Sequence, residues 1–134
     1  MTTPHKTLGL SIILNAGMEE AEARVIEALK AQGFGILTEI DITATFKKKL
    51  DVDFPPYKIL GACNPGLAHR ALTLTGEVGL LLPCNVTLSQ ETANQVKVSI
   101  IDPILMLDVV DNPDIRPIAN EAREKLEQAL NSLQ

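Results

Sequence analysis

Hydrophobic and polar residues alternate along five segments of the chain, which is the pattern of β-strands that bury one face. The five segments are residues 7–14, 36–42, 57–63, 82–89 and 96–100. In the first of them Leu8, Leu10, Ile12 and Leu14 share one side, and Ser11 takes the other. The alternation therefore predicts five strands, most of them with one apolar face.

Apolar residues recur every three or four positions in three longer segments, which predicts amphipathic helices. These segments are residues 15–34, residues 65–75 and the C-terminal residues from about Asp114 onward. Gly33 fits the left-handed position that follows the end of a helix. Asn64 is a favoured N-cap residue, and Pro65 suits the first helical position. We therefore expect the second helix to begin directly after Asn64.

These elements follow the order β-α-β-(α)-β-α-β-β-α, in which the bracketed helix is a short one predicted at residues 43–51. The predicted fold class is α+β, with a mainly antiparallel five-stranded sheet and helices packed on one face. One domain, residues 1–134, accounts for a chain of this length. The opposite sheet face should be polar. Its predicted members are Ser11, Glu39, Asp41, Asn85, Thr87, Lys97 and Ser99.

An apolar run, PILMLDVV, connects the last strand to the last helix at residues 103–110. Its large apolar residues are nearly consecutive, so no single helix or strand face can bury all of them. We expect part of the run to be exposed, and exposed apolar surface is typical of an interface. Because homo-oligomers most often close as two-fold dimers, we predict a homodimer to which this connector or the polar sheet face contributes. The alternative is that the run closes one end of the core beneath the final helix.

Composition and charge exclude several classes of partner. The formal net charge is −5, and the chain has three Phe, one Tyr and no Trp, which argues against nucleic-acid binding. The basic run Lys47-Lys48-Lys49 falls in the last turn of the short helix, where cations suit the helix dipole. The apolar run of residues 8–14 is too short to span a bilayer and lacks a signal-peptide cleavage site. Two cysteines are too few for a secreted disulfide scaffold, which predicts a cytoplasmic protein.

Both cysteines of the chain are followed by asparagine, as Cys63-Asn64 and Cys84-Asn85. Cys63 precedes a helix N-terminus, where the partial positive charge lowers a thiol pKa. If the two strands are neighbours, the two sulfur atoms can approach each other. Alternation places Cys84 on the core face, and free cysteine is also a common small core residue, so packing stays open for both. We take Cys63, Asn64, Cys84 and Asn85 as the candidate ligand-binding residues.

The histidines do not complete a catalytic set with these thiols. His5 lies near the N-terminus, and His69 points to the outer face of its helix, whereas a nucleophilic cysteine needs a base within hydrogen-bond reach. The Cys and His residues number four in total and show no CxxC or HExxH spacing, which argues against a closed zinc site. We therefore predict no catalytic and no metal-ligating residues, and the residues identify no particular cofactor.

The segments YKILGACNP and GLLLPCNVTL, with an alanine-rich helix between them, resemble the signature of a prokaryotic family known as domain of unknown function 302. The resemblance extends from the first strand to Asp102-Pro103 and the final helix, and the two Cys-Asn pairs are its most specific part. It implies a fold similar to the TATA-binding-protein-like class, an antiparallel sheet with helices on one side. The family brings no established reaction, so the resemblance leaves the function open.

Together these patterns favour a non-enzymatic, cytoplasmic, homo-oligomeric domain that binds a small ligand or partner beside the two Cys-Asn pairs. The alternative from another class is a thiol-based enzyme or redox sensor that uses Cys63, which requires a depressed thiol pKa. A third possibility is a metal- or haem-binding protein with cysteine ligation.

Overall fold

One antiparallel sheet forms the framework of the fold in the computed structural model, which describes residues 7–134. The strands are β1 Gly9–Leu14, β2 Gly35–Asp41, β3 Tyr57–Cys63, β4 Cys84–Thr92 and β5 Gln95–Ile101. They lie in the order β1-β5-β4-β3-β2, and every neighbouring pair is antiparallel. The five predicted strands are confirmed. Leu8, which we expected on the buried face, precedes β1 and is 73% exposed.

Helices cover one face of the sheet, as the sequence predicted. They are α1 Met18–Ala31, α2 Ile42–Leu50, α3 Pro65–Leu74, α4 Pro103–Leu107 and α5 Ile115–Asn131, with a 3₁₀ helix at Gly76–Leu81. Leu29 of α1 and Leu126 of α5 belong to one buried cluster with Leu88 of β4 and Val98 of β5. The α+β class is therefore confirmed. Within residues 7–134, none of the helices has the length and apolar composition needed to cross a bilayer.

The turn after α1 requires the glycine that the sequence places there. Gly33 has φ +84°, a left-handed conformation that glycine adopts at little cost. The backbone N–H of Gly33 donates to the Lys30 carbonyl, and that of Phe34 donates to the Leu29 carbonyl, both at 2.9 Å. These bonds end α1 and turn Phe34 into the core, where it is 2% exposed.

A β-bulge in β2 reverses the predicted orientation of that strand's second half. Ile36 pairs with Ala62 and Thr38 pairs with Gly61, so Leu37 is the extra residue. After the bulge Glu39 and Asp41 share the side of their partners Leu60 and Lys58, which is the helix-bearing side. Our assignment of Glu39 and Asp41 to the polar outer face was therefore wrong, because one inserted residue changes the parity of a strand.

The Glu39 carboxylate, which the bulge turns to the helix-bearing side, belongs to an ion-paired cluster between the sheet and α1. Lys58 Nζ lies 2.8 Å from Glu22 Oε1 of α1, and it also contacts Glu39 of β2. Hydrogen bonds to Glu22 and Glu39 raise the pKa of Lys58 above its usual value. Lys58 therefore stays charged at every physiological pH and ties one end of β3 to its neighbours.

The apolar connector begins with the short helix α4. The Asp102 carboxylate accepts a hydrogen bond from the Ile104 backbone N–H at 2.9 Å, and it also accepts one from Arg123 of α5 at 2.6 Å. Pro103 is buried and Leu107 is 4% exposed, so α4 closes one end of the core against α5. Of the run, Val109 is strongly exposed, at 75%. The packed arrangement that we gave as the alternative therefore describes most of this segment.

Candidate functional site

The two cysteines lie on neighbouring strands at one end of the sheet. Cys84, the first residue of β4, pairs directly with Ala62 of β3, and Cys63 is the next residue along the chain. Cys84 is 7% exposed on the core side, as its parity predicted, whereas Cys63 is half-buried. Both thiols are free. The expected proximity of the two cysteine-bearing strands is confirmed.

A cavity of about 40 Å³ opens beside these residues, between the end of the sheet and the helices α3, α4 and α5. Cys63, Cys84 and Met106 are among the residues that line it. Most of the other lining residues are apolar. They include Phe34, Leu67, Ala71, Leu107, Ile118 and Ala122. Such a cavity offers few hydrogen-bonding groups and room for only a few atoms.

Asn64 also lines the cavity, and it fixes the junction between β3 and α3. Its Oδ1 atom accepts a hydrogen bond from the Leu67 backbone N–H at 3.2 Å, which confirms the predicted N-cap. Its Nδ2 atom donates to the Gln32 carbonyl at 3.4 Å. A side chain at Gly33 would place its Cβ 3.0 Å from that nitrogen. Asn64 therefore holds the start of α3 against the turn that follows α1.

Two substitutions of Asn64 distinguish the contributions of its two hydrogen bonds to stability. Asn64→Ala should lower the free energy of unfolding by about 1 kcal/mol through the lost cap. Asn64→Asp keeps an oxygen that can accept from Leu67 but cannot donate to Gln32, so it should lose less. Chemical denaturation of both variants and the wild type measures the difference. Equal stability of Asn64→Ala and wild type would contradict the capping role.

The pKa values of both thiols move away from the range that a reactive cysteine needs. Burial raises the pKa of Cys63 above its usual value. Burial, and then the negative charge that Cys63 carries when ionised, raise the pKa of Cys84 to about 11. The helix N-terminus was expected to depress the pKa of Cys63, but removal of the thiol from water outweighs it. A raised pKa leaves less thiolate at neutral pH than an ordinary cysteine has.

Alkylation rates provide a direct check on these pKa shifts. At pH 7 iodoacetamide should modify Cys63 more slowly than a cysteine in an unstructured peptide, and Cys84 more slowly still, because the thiolate is the reacting form. Both rates should keep rising as the pH passes the usual thiol pKa. The variants Cys63→Ser and Cys84→Ser each leave one thiol and assign the rates. A Cys63 rate that levels off below about pH 8 would show an activated thiolate instead.

The remaining candidate residues lie away from the cavity. Asn85 is exposed on the opposite face of the sheet, where the Ser11 and Ser99 hydroxyls lie 2.8 Å apart. His69 is exposed on α3 and does not line the cavity, and His5 falls outside the described residues. Within residues 7–134, no three His, Cys, Asp or Glu side chains come together as a metal site. Sequence reasoning missed Met106, because only the packing of α4 against α5 brings it to the cavity.

The fold and the cavity define an antiparallel α+β domain with a small, mostly apolar cavity between its helices and one end of the sheet. The model of the family described as Domain of unknown function DUF302 matches residues 10–133. The chain belongs to this family. It is similar to a solved structure described as an uncharacterized conserved DUF302 protein from Bacillus stearothermophilus, at 29% identity and a TM-score of 0.87, with 96% of this chain and 100% of that chain covered. No curated protein matches the chain.

Proposed function

We propose that the chain is a binding domain whose ligand occupies the cavity at Cys63, Asn64 and Cys84. The observation that carries the proposal is the convergence of these three residues on one cavity, from two strands and a helix N-terminus. The arrangement is specific to this end of the sheet, and Asn64 fixes its backbone through two hydrogen bonds. Preorganised sites of this kind bind with little loss of conformational entropy.

The size of the cavity limits the ligand. Sites for drug-sized ligands have volumes of roughly 300–1,000 Å³, whereas this cavity has about 40 Å³. It therefore suits an ion or a molecule of a few atoms, and a haem group does not fit without a large rearrangement. Met106 is half-buried, and its flexible side chain can adjust to admit a slightly larger ligand.

A screen read by backbone amide chemical shifts tests this proposal. Small neutral molecules, small anions and metal salts should be added singly to isotope-labelled protein, and at least one should shift the amides of Cys63, Asn64 and Cys84. Ala122→Leu fills the cavity and should abolish the shift. Ala23→Leu makes the same change on the exposed side of α1 and should retain it. If no compound shifts these amides in the wild type, the proposal is wrong.

A thiol-based enzyme or redox sensor using Cys63 is the competing function. The raised pKa values of both thiols argue against it, because a catalytic cysteine needs its thiolate at neutral pH. The alkylation profile described above distinguishes the two functions. We also propose that the protein acts in the reducing cytoplasm, which keeps both thiols in the free form that the site uses.

We further propose that two copies of the chain associate through an apolar surface formed by Leu80 and Val109. These side chains are 84% and 75% exposed, and both line one open groove between the 3₁₀ helix and the segment after α4. Exposed apolar groups that share a groove are typical of an interface.

Sedimentation at micromolar concentrations tests this association. The wild type should sediment as a dimer, and Leu80→Glu should sediment near the monomer mass of 14.5 kDa because it places a charge in the interface. Leu50→Glu makes the same change at another exposed leucine, on α2, and should remain dimeric. A wild type that stays monomeric on concentration would contradict the proposal.

Nucleic acid is not among the partners that we propose. The net charge is −5, and the one basic run, at the end of α2, is partly compensated because Lys47 lies 3.1 Å from Asp51 and 3.2 Å from Asp53. Phosphate backbones require an uncompensated basic surface. A likeness to the TATA-binding-protein-like fold stays a prediction and carries no function of its own.

A further inference from the structure

Small side chains from three elements surround the cavity at the end of the sheet. Ala62 of β3, Ala68 and Ala71 of α3 and Ala122 of α5 all line it. Because none of these methyl groups reaches across the gap, about 40 Å³ stays unfilled. An unfilled cavity lowers stability, since the atoms around it lose packing partners on one side. A molecule that fits the cavity restores those contacts and therefore stabilises the fold.

The size of the cavity admits an ion or a small molecule, and the chemistry of its lining decides between them. Apolar atoms form nearly all of the cavity surface, and none of the described residues that line it is Asp, Glu, Lys, Arg or His. Burial raises the pKa of the Cys84 thiol to about 11, so this lining residue is neutral as well. The Asn64 amide already accepts a hydrogen bond from the Leu67 N–H and donates one to the Gln32 carbonyl. An ion that entered would lose its hydration without gaining a charged partner, which is costly.

The cavity has a closed floor and one side that a ligand can reach. Leu107 and Ile118 form part of the floor and are at most 5% exposed. Ala68, Leu82 and Met106 also line the cavity but are half-buried, so they border the solvent. The unbranched side chain of Met106 can move aside to admit a molecule and then return to cover it. A small ligand can therefore enter without unfolding of the core.

We propose that the cavity binds one neutral, apolar molecule of very small size. The inference rests on the proposed binding function and names the chemical class of its ligand. One water-sized group occupies roughly 10–15 Å³ of such a cavity, so a ligand of about two or three non-hydrogen atoms fits. Binding is by apolar contact alone, and no bond forms or breaks. A ligand of so few atoms binds with a dissociation constant not below roughly 0.5 mM. The site therefore responds to a ligand that is present at a comparable concentration.

Xenon and ethane test the proposal, because apolar cavities stay dry and take up apolar guests of matching size. Each gas should be dissolved under pressure in a solution of the isotope-labelled full chain, with helium at the same pressure as the control. Xenon and ethane should shift the amides of Asn64, Cys84 and Ala122 in a saturable manner, and helium should not. Formate and methylammonium are ions of similar size and should leave these amides unchanged. Benzene, which is too large for the cavity, should also leave them unchanged.

Matched variants separate this site from unspecific uptake of gas. Ala122→Leu fills the floor of the cavity and should abolish the saturable xenon shift. Because a larger side chain in a buried position can also disturb folding, Ala68→Leu provides a second test at a half-buried lining position. It should abolish the shift too, whereas Ala23→Leu on the exposed side of α1 should retain it. Thermal melting identifies the variants that remain folded. Xenon shifts that persist in a folded Ala122→Leu or Ala68→Leu protein would overturn the proposed site.

The outcome for apolar molecules also differs from the outcome for the binding function itself. If formate, methylammonium or a metal salt shifts the cavity amides while xenon and ethane do not, the ligand class is wrong and the binding function stands. If neither the apolar gases nor any other compound shifts these amides, both proposals are wrong. Saturable shifts with xenon and ethane alone, lost on filling the cavity, support both.

Discussion

Leu126→Ala is expected to lower the free energy of unfolding by about 2–5 kcal/mol. Leu126 is fully buried on α5 and belongs to the core cluster that joins this helix to the sheet. Removing its branched end takes apolar surface out of the core and leaves a cavity that the neighbouring side chains fill only in part. Denaturant unfolding measures this loss directly when the m-value is the same for the variant and the wild type.

The matched control for this change is Leu50→Ala on α2. Leu50 is 65% exposed, so the same truncation there should alter stability by less than about 0.5 kcal/mol. Similar losses for the two variants would mean that α5 does not pack on the sheet as described. A loss much above the expected range for Leu126→Ala would indicate that the helix detaches as a unit.

Gly61→Ala should destabilise the fold by about 1–3 kcal/mol, although it adds a single methyl group. Gly61 lies in the interior strand β3, and a Cβ there would overlap the Thr38 hydroxyl and lie 2.7 Å from Cγ of Pro83. Carbon atoms pack favourably at about 3.5–4.0 Å. Because Gly61 precedes Cys63 by two residues, the strain should also reach the cavity and weaken the binding of any ligand there.

Two further variants isolate the cause of this loss. Gly35→Ala, in the neighbouring strand β2, adds a methyl group with no atom within 4 Å and should be nearly neutral. Thr38→Ala removes the hydroxyl that Gly61→Ala overlaps, so the double variant should recover part of the loss. A double-mutant cycle measures that coupling. Additive effects of the two substitutions would contradict the close contact.

The inner faces of most strands were predictable because their alternation is a local property. Val86, Leu88, Val98 and Ile100 are at most 1% exposed, as their parity requires. The error in β2 arose from the bulge at Leu37, which depends on pairing with β3 and leaves no signal in the segment itself. Alternation therefore predicts which face a strand residue occupies only up to the next β-bulge.

The candidate site was predictable in part, for a similar reason. The capping role of Asn64 follows from residues next to it, and the burial of Cys84 follows from alternation within one strand. Met106 joins the site through tertiary contacts, in which Arg123 of α5 binds Asp102 at the start of α4. The depressed pKa expected for Cys63 was wrong because burial, which depends on the whole fold, outweighs the local helix terminus.

The bulge at Leu37 also affects how the protein behaves at high concentration. Strand β2 is an edge of the sheet, and edge strands present unpaired backbone groups on which another chain can extend the sheet. Leu37 is 68% exposed there, so a regular β2 would offer an apolar template for fibre growth. The bulge interrupts the spacing of those backbone groups, so an incoming strand cannot continue a regular ladder along β2.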